Sequence, residues 1–140
     1  MRIAIGLVFL SLAAAATVGA QRAASVWDGV YTAIQASRGK ALYGDKCASC
    51  HGAALDGNGT APPLAGKDFQ ANWNGQTADD LLEKMQTSMP ADQPGSLSRA
   101  QNADILAFLF LSNGFPARSK DLPADAALLQ KIRFEAVKSK

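Results

Sequence analysis

Cys47-Ala48-Ser49-Cys50-His51 decides the reading of this chain. These five positions hold both cysteines and the only histidine among 140 residues. Placing two Cys and one His at random gives this spacing about once in ten thousand arrangements. Two thiols three positions apart near a helix end project from nearly the same face. They can add to two vinyl groups on one edge of a porphyrin, and the adjacent histidine then lies under the iron. The spacing therefore reads as an attachment site for one covalent haem c, bound through Cys47 and Cys50, with His51 on the metal.

Other uses of the motif fit less well. A structural zinc site needs about four ligands, and here three are packed too tightly to close a tetrahedron alone. A thioredoxin-like redox pair would follow a strand inside a βαβ unit, and no such pattern surrounds these residues. A disulfide across two residues would leave His51 unexplained.

A soft thioether is the natural sixth ligand, and a His/Met pair raises the potential of a haem. Beyond Met1 the chain has only Met85 and Met89. Met89 precedes Pro90 at an expected helix-to-loop transition, where stiff backbone can aim a side chain. It is the expected ligand, with Met85, one turn earlier, as the alternative. The second ring nitrogen of a haem histidine needs an acceptor, and the stiff segment Ala61-Pro62-Pro63-Leu64 can offer a carbonyl. Trp73 carries an indole N–H that would reach a haem propionate, or else packs in the core.

Working outward, Thr32-Ala33-Ile34-Gln35 fits a capping box and predicts a helix from Thr32 to about Lys46. Gly39 inside it costs roughly 1 kcal/mol relative to Ala, which points to a second backbone passing close by. Five glycines and Pro62-Pro63 across 52–76 predict about 25 residues of loop, a length that suits a segment wrapped around a cofactor. Thr77-Ala78-Asp79-Asp80 opens a second helix to Ser88, with Asp79 and Asp80 as helix-start charges. Ser98-Arg99-Ala100-Gln101 opens a third, ending near Asn113-Gly114. Its middle, Ile105 to Leu111, is apolar all round and so is buried on more than one face. A short helix is expected between Asp125 and about Val137. No alternating strand pattern is visible.

Residues 1–20 read as a secretory signal, with Arg2, an apolar run and Val18-Gly19-Ala20 at the expected cut. A retained anchor is the alternative, and membrane association would follow only from that. Export agrees with the motif, since bacterial c-type haem is attached after translocation. The expected location is the periplasm. Formal charge is +2, and losing Arg2 leaves about +1 before two propionates are added, so long-range steering should be weak. No basic cluster suggests nucleic acid. With its one histidine used as a ligand, the chain offers no histidine-based catalytic triad. No phosphate-binding glycine loop is present.

The chain resembles the class I bacterial cytochromes c over about 32–115. Cys47, Cys50 and His51 match the attachment motif, Pro62 and Leu64 the proline turn whose carbonyl holds the histidine, and Met89 the distal ligand. Gly39 and Tyr43, with the aromatic stretch around Phe108, resemble the family's packed terminal helices. Trp73 resembles a residue that contacts a propionate. The resemblance implies an all-α cytochrome c-like fold, with three main helices and a long loop around one haem. It also implies single-electron transfer between partner proteins. Val26 to Thr32, Met89 to Ser98 and Asn113 to Pro116 are similar to cytochromes associated with periplasmic quinoprotein dehydrogenases. Such a protein would take electrons from a dehydrogenase and pass them to a respiratory acceptor. An open-site haem enzyme or gas sensor is the rival function. The expected organisation is a signal at 1–20, a lead-in at 21–31, the cytochrome domain at 32–115 and an extension at 116–140.

Overall fold

The computed structural model describes residues 23–140, so the expected signal at 1–20 lies outside the described residues. Helix α1 (Ala33–Lys46) starts at Thr32, whose hydroxyl accepts the Gln35 N–H at 3.0 Å. Only that half of the expected capping box forms. The Gln35 side chain turns inward instead, where it is buried and bonds both the N–H and the carbonyl of Leu122.

A single turn, α2 (Ala48–His51), follows α1 directly, and then a loop of tight turns runs through residues 52–66. The loop expected across 52–76 is interrupted by α3 (Lys67–Trp73). Gly66 caps α3 without a side-chain bond, so no capping signal marked its start. Helix α4 (Ala78–Ser88) carries the full capping box between Thr77 and Asp80. Helix α5 (Arg99–Ser112) carries one between Ser98 and Gln101. The fold is all-α, with α1, α4 and α5 as its three main helices.

The most extensive helix pair is α1 with α5. Gly39 explains their closeness: a Cβ placed there would overlap the carbonyl of Asp104 on α5. Tyr43 and Phe108 pack across the same crossing, ring centroids 5.3 Å apart. Every residue from Ile105 to Phe110 is buried, as an apolar-all-round helix requires.

The tail differs from expectation. Only α6 (Ala126–Leu129) is helical, and the chain then extends. Strand β2 (Ile132–Arg133) pairs in parallel with β1 (Ala24–Ser25), which runs into the short 3-10 turn Val26–Asp28. Two residues per strand are too few to leave an alternating pattern. Residues 117–136 lie along the helices. Phe134 is fully buried against Phe69, Phe110 and Phe115. Arg118 donates its N–H to the Tyr31 carbonyl, and Asp121 pairs with Arg38.

Candidate cofactor site

Between α2, the 60–64 loop, α3, α4 and α5 lies a cavity of about 860 Å³, in the upper part of the roughly 300–1,000 Å³ range of cofactor sites. The structure brings all six sequence-predicted residues to its wall: Cys47, Cys50, His51, Pro62, Trp73 and Met89. Met85 is there as well.

His51 is buried, and its Nδ1 lies 2.8 Å from the carbonyl oxygen of Pro62. A carbonyl can only accept, so Nδ1 carries the proton and Nε2 keeps the lone pair a metal needs. The loop is fixed to present that carbonyl. Gly57 donates its N–H to the His51 carbonyl at 2.8 Å, and Leu64 donates to Leu55 at 2.9 Å. Below it, Asn113 ties the loop to the end of α5: its Oδ1 accepts the Gly66 N–H, and its Nδ2 donates to the carbonyls of Leu64 and Leu109. Sequence reasoning placed Asn113 only as a helix stop. Its second role had no local signal.

Cys47 and Cys50 form no disulfide. Cys47 is half-buried and Cys50 exposed. Burial, with the neighbouring Cys50 adding to it, pushes the Cys47 thiol up to about 11. The hydroxyl of Tyr43 donates to the Gly52 carbonyl at 2.6 Å, fixing the end of α2. Among the described residues no three His, Cys, Asp or Glu side chains converge as a metal site.

Across the cavity, Met89 is the C-cap of α4 and is half-buried, and its N–H donates to the Met85 carbonyl. Met85 is buried one turn earlier. Gln86 bridges this end of α4 to the Leu97 carbonyl and to buried Asn102 on α5. Leu64, Phe69, Leu81, Ile105 and Leu109 add apolar wall, and polar residues such as Asn72 and Asn102 share the lining. Trp73 is half-buried beside Phe69 at 6.3 Å between centroids. Its indole has no hydrogen bond among the described residues. Asp79 and Asp80 serve the helix start: Asp80 closes the capping box, which holds its carboxyl below the usual range, and Asp79 pairs with Arg99.

Two thiols and a tautomer-fixed imidazole share this cavity with the thioethers of Met85 and Met89. That donor set fits a haem.

The family described as cytochrome c oxidase, cbb3-type, subunit III matches residues 34–109, more than half of the chain. The protein belongs to that family, and is a class I c-type cytochrome that works by haem-based electron transfer. Among solved structures, the sulfane dehydrogenase SoxCD from Paracoccus pantotrophus is 27% identical, with a TM-score of 0.47. The alignment covers 80% of this chain and 60% of that one. No curated protein matches.

Proposed function

We propose that this protein is a periplasmic single-electron carrier holding one haem c through Cys47 and Cys50, with His51 and Met89 as its axial ligands. The observation that carries the reading is the cavity itself. It sets both thiols and an imidazole held by Pro62 on one wall, and the methionines of α4 on another. When bound, haem supplies one-electron exchange between ferric and ferrous iron. The chain's own residues do the rest. Pro62 fixes the tautomer and orientation of His51. The cap geometry at Met89, backed by Gln86 and Asn102, holds the thioether end of α4 against α5. Leu81, Ile105 and Leu109 exclude water, which keeps reorganisation small and the potential high.

The periplasmic location rests on the signal-like sequence of residues 1–20. The electron donor is a dehydrogenase, read from the similarity of 26–32, 89–98 and 113–116 to cytochromes that serve quinoproteins. The acceptor is a respiratory protein. Asp45, Lys46, Lys84 and Asp92 all border the cavity, two charges of each sign. A balanced border suits brief docking with weak dependence on salt.

The test is the absorption spectrum of the reduced, exported protein before and after carbon monoxide, followed by denaturation. A spectrum unmoved by carbon monoxide, with haem still attached after denaturation, is expected. A carbon monoxide shift in the unaltered protein would replace this reading with an open-site enzyme or sensor. Loss of haem on denaturation would remove the thioether links.

A further inference from the structure

Two segments far apart in sequence meet on the corner between α3 and α4. On one side, Phe134 exchanges backbone hydrogen bonds with that corner: the Gly75 N–H donates to its carbonyl at 2.8 Å, and its N–H donates to Gln76 at 2.9 Å. The Ala136 N–H reaches Asn74 Oδ1 at 2.9 Å, and Arg133 bridges to Thr77, the cap of α4. Gln130 reaches Asp79 in the first turn of α4. On the other side, residues 24–27 hold this strap, residues 130–136, down. Ser25 donates its hydroxyl to the Glu135 carboxylate, Trp27 donates its indole N–H to the Glu135 carbonyl at 2.8 Å, and β1 pairs with β2. The Phe134 ring packs edge-on against Phe69, centroids 6.0 Å apart. Phe69 and Trp73 are cavity wall, and α4 carries both methionines.

We propose that Phe134 is a positioning residue for the methionine wall of the haem site, because its buried ring backs Phe69 and seats the segment whose backbone bonds the 74–77 corner from which α4 departs. This inference rests on the His51/Met89 reading. Phe134 acts through the corner and through Phe69. The far end of α4 has its own anchor in Gln86 and Asn102. Without the Phe134 ring, the backbone hydrogen bonds at the corner remain possible, but the segment that makes them is no longer seated in the core and Phe69 loses its backing. The corner then opens more often, and so does the Met89 thioether, while the links to Cys47 and Cys50 stay intact.

The test uses the full-length exported holoprotein. The unaltered protein is measured first: a ferric sulfur-to-iron charge-transfer band and no carbon monoxide shift are expected. Absence of that band would overturn the Met89 reading and this inference with it. With the band present, Phe134→Ala should weaken it and make the reduced protein take up carbon monoxide where the unaltered protein takes up none, as frequent local opening requires. Haem content after denaturation should not change. Phe134→Leu should shift both readings the same way by less, and it decides the matter if Phe134→Ala does not accumulate. Leu106→Ala truncates a fully buried side chain of α5 outside the cavity and the strap, and should leave the band in place. Unaltered band and uptake in the Phe134 variant that accumulates would overturn the proposal. So would an equal change in Leu106→Ala, which would reduce Phe134 to general core packing.

Discussion

The carbonyl oxygen of Pro62 sits 2.8 Å from Nδ1 of His51, eleven residues earlier in the chain. The acceptor is backbone, so the proline ring is not itself the partner. Pro62→Ala should therefore keep the hydrogen bond and the visible spectrum. The proline's contribution is stiffness, worth about 0.4–1 kcal/mol through the unfolded state. Urea unfolding with the spectrum recorded in parallel checks both halves. A large spectral change would mean that the ring, and not the carbonyl, orients His51.

Met89→Ala should lower the reduction potential by an amount on the order of 0.1 V, within the roughly 0.8 V that axial ligands span. It should also open the iron to carbon monoxide. Met85→Ala should leave the iron closed and lose stability as a buried methionine does, about 2–5 kcal/mol. Potentiometric titration of both variants separates the roles, and a reversed result would assign the ligand to Met85.

Gly39 and Gly44 lie on the same helix and should respond oppositely to alanine. At Gly39 the new methyl group meets the backbone of Asp104. Separating α1 from α5 should cost about 1–3 kcal/mol, more than the helix-propensity gain of about 1 kcal/mol. At Gly44 nothing lies within 4 Å of the new Cβ, so Gly44→Ala should stabilise by about 0.5–1 kcal/mol. Chemical denaturation of the two variants tests the pair together.

The Asp80 carboxyl is held below its ordinary 3.8, first by the Thr77 N–H and then by the Thr77 hydroxyl. A depressed folded-state value means the stabilisation is complete above that ordinary value and fades as pH falls through the lower one. Asp80→Asn should therefore cost about 1 kcal/mol near neutral pH. The difference from the unaltered protein should shrink as pH falls below 3.8 and through the lower folded-state value. Thermal unfolding across that range gives the curve.

What the sequence showed and what it hid divide along the range of the interactions. The haem motif, the helix starts at Thr77 and Ser98, and the end of α4 at Met89-Pro90 depend on neighbours within a few positions, and they were legible. Gly39 was legible for another reason: a costly residue inside a helix implies a compensating contact. The Gln35 side chain followed no local rule, because its partner, Leu122, is 87 positions away. Phe134 was equally silent, since its place depends on rings contributed by α3, α5 and Phe115. Helix α3 was missed because seven residues without a side-chain cap give little periodic pattern. Stiffness pointed to the segment 61–64 and the family resemblance to Pro62, while Asn113, which ties the neighbouring loop down, needed the loop and α5 already in place.

The pairing of β1 with β2 joins residues made early to residues made late. Trp27 and Glu135, which bond beside it, are 108 positions apart. Closing so long a loop yields contacts only after its entropy has been lost, so this seam forms late in folding. It is also short, which makes it an early place for the native protein to open. Amide protons of Gly75 and Phe134 should then exchange sooner than those in the middle of α5. The order of assembly follows. The wall with the cysteines and histidine can be built from local turns, and the wall with the methionines is finished only when residues 130–136 have closed onto the 74–77 corner.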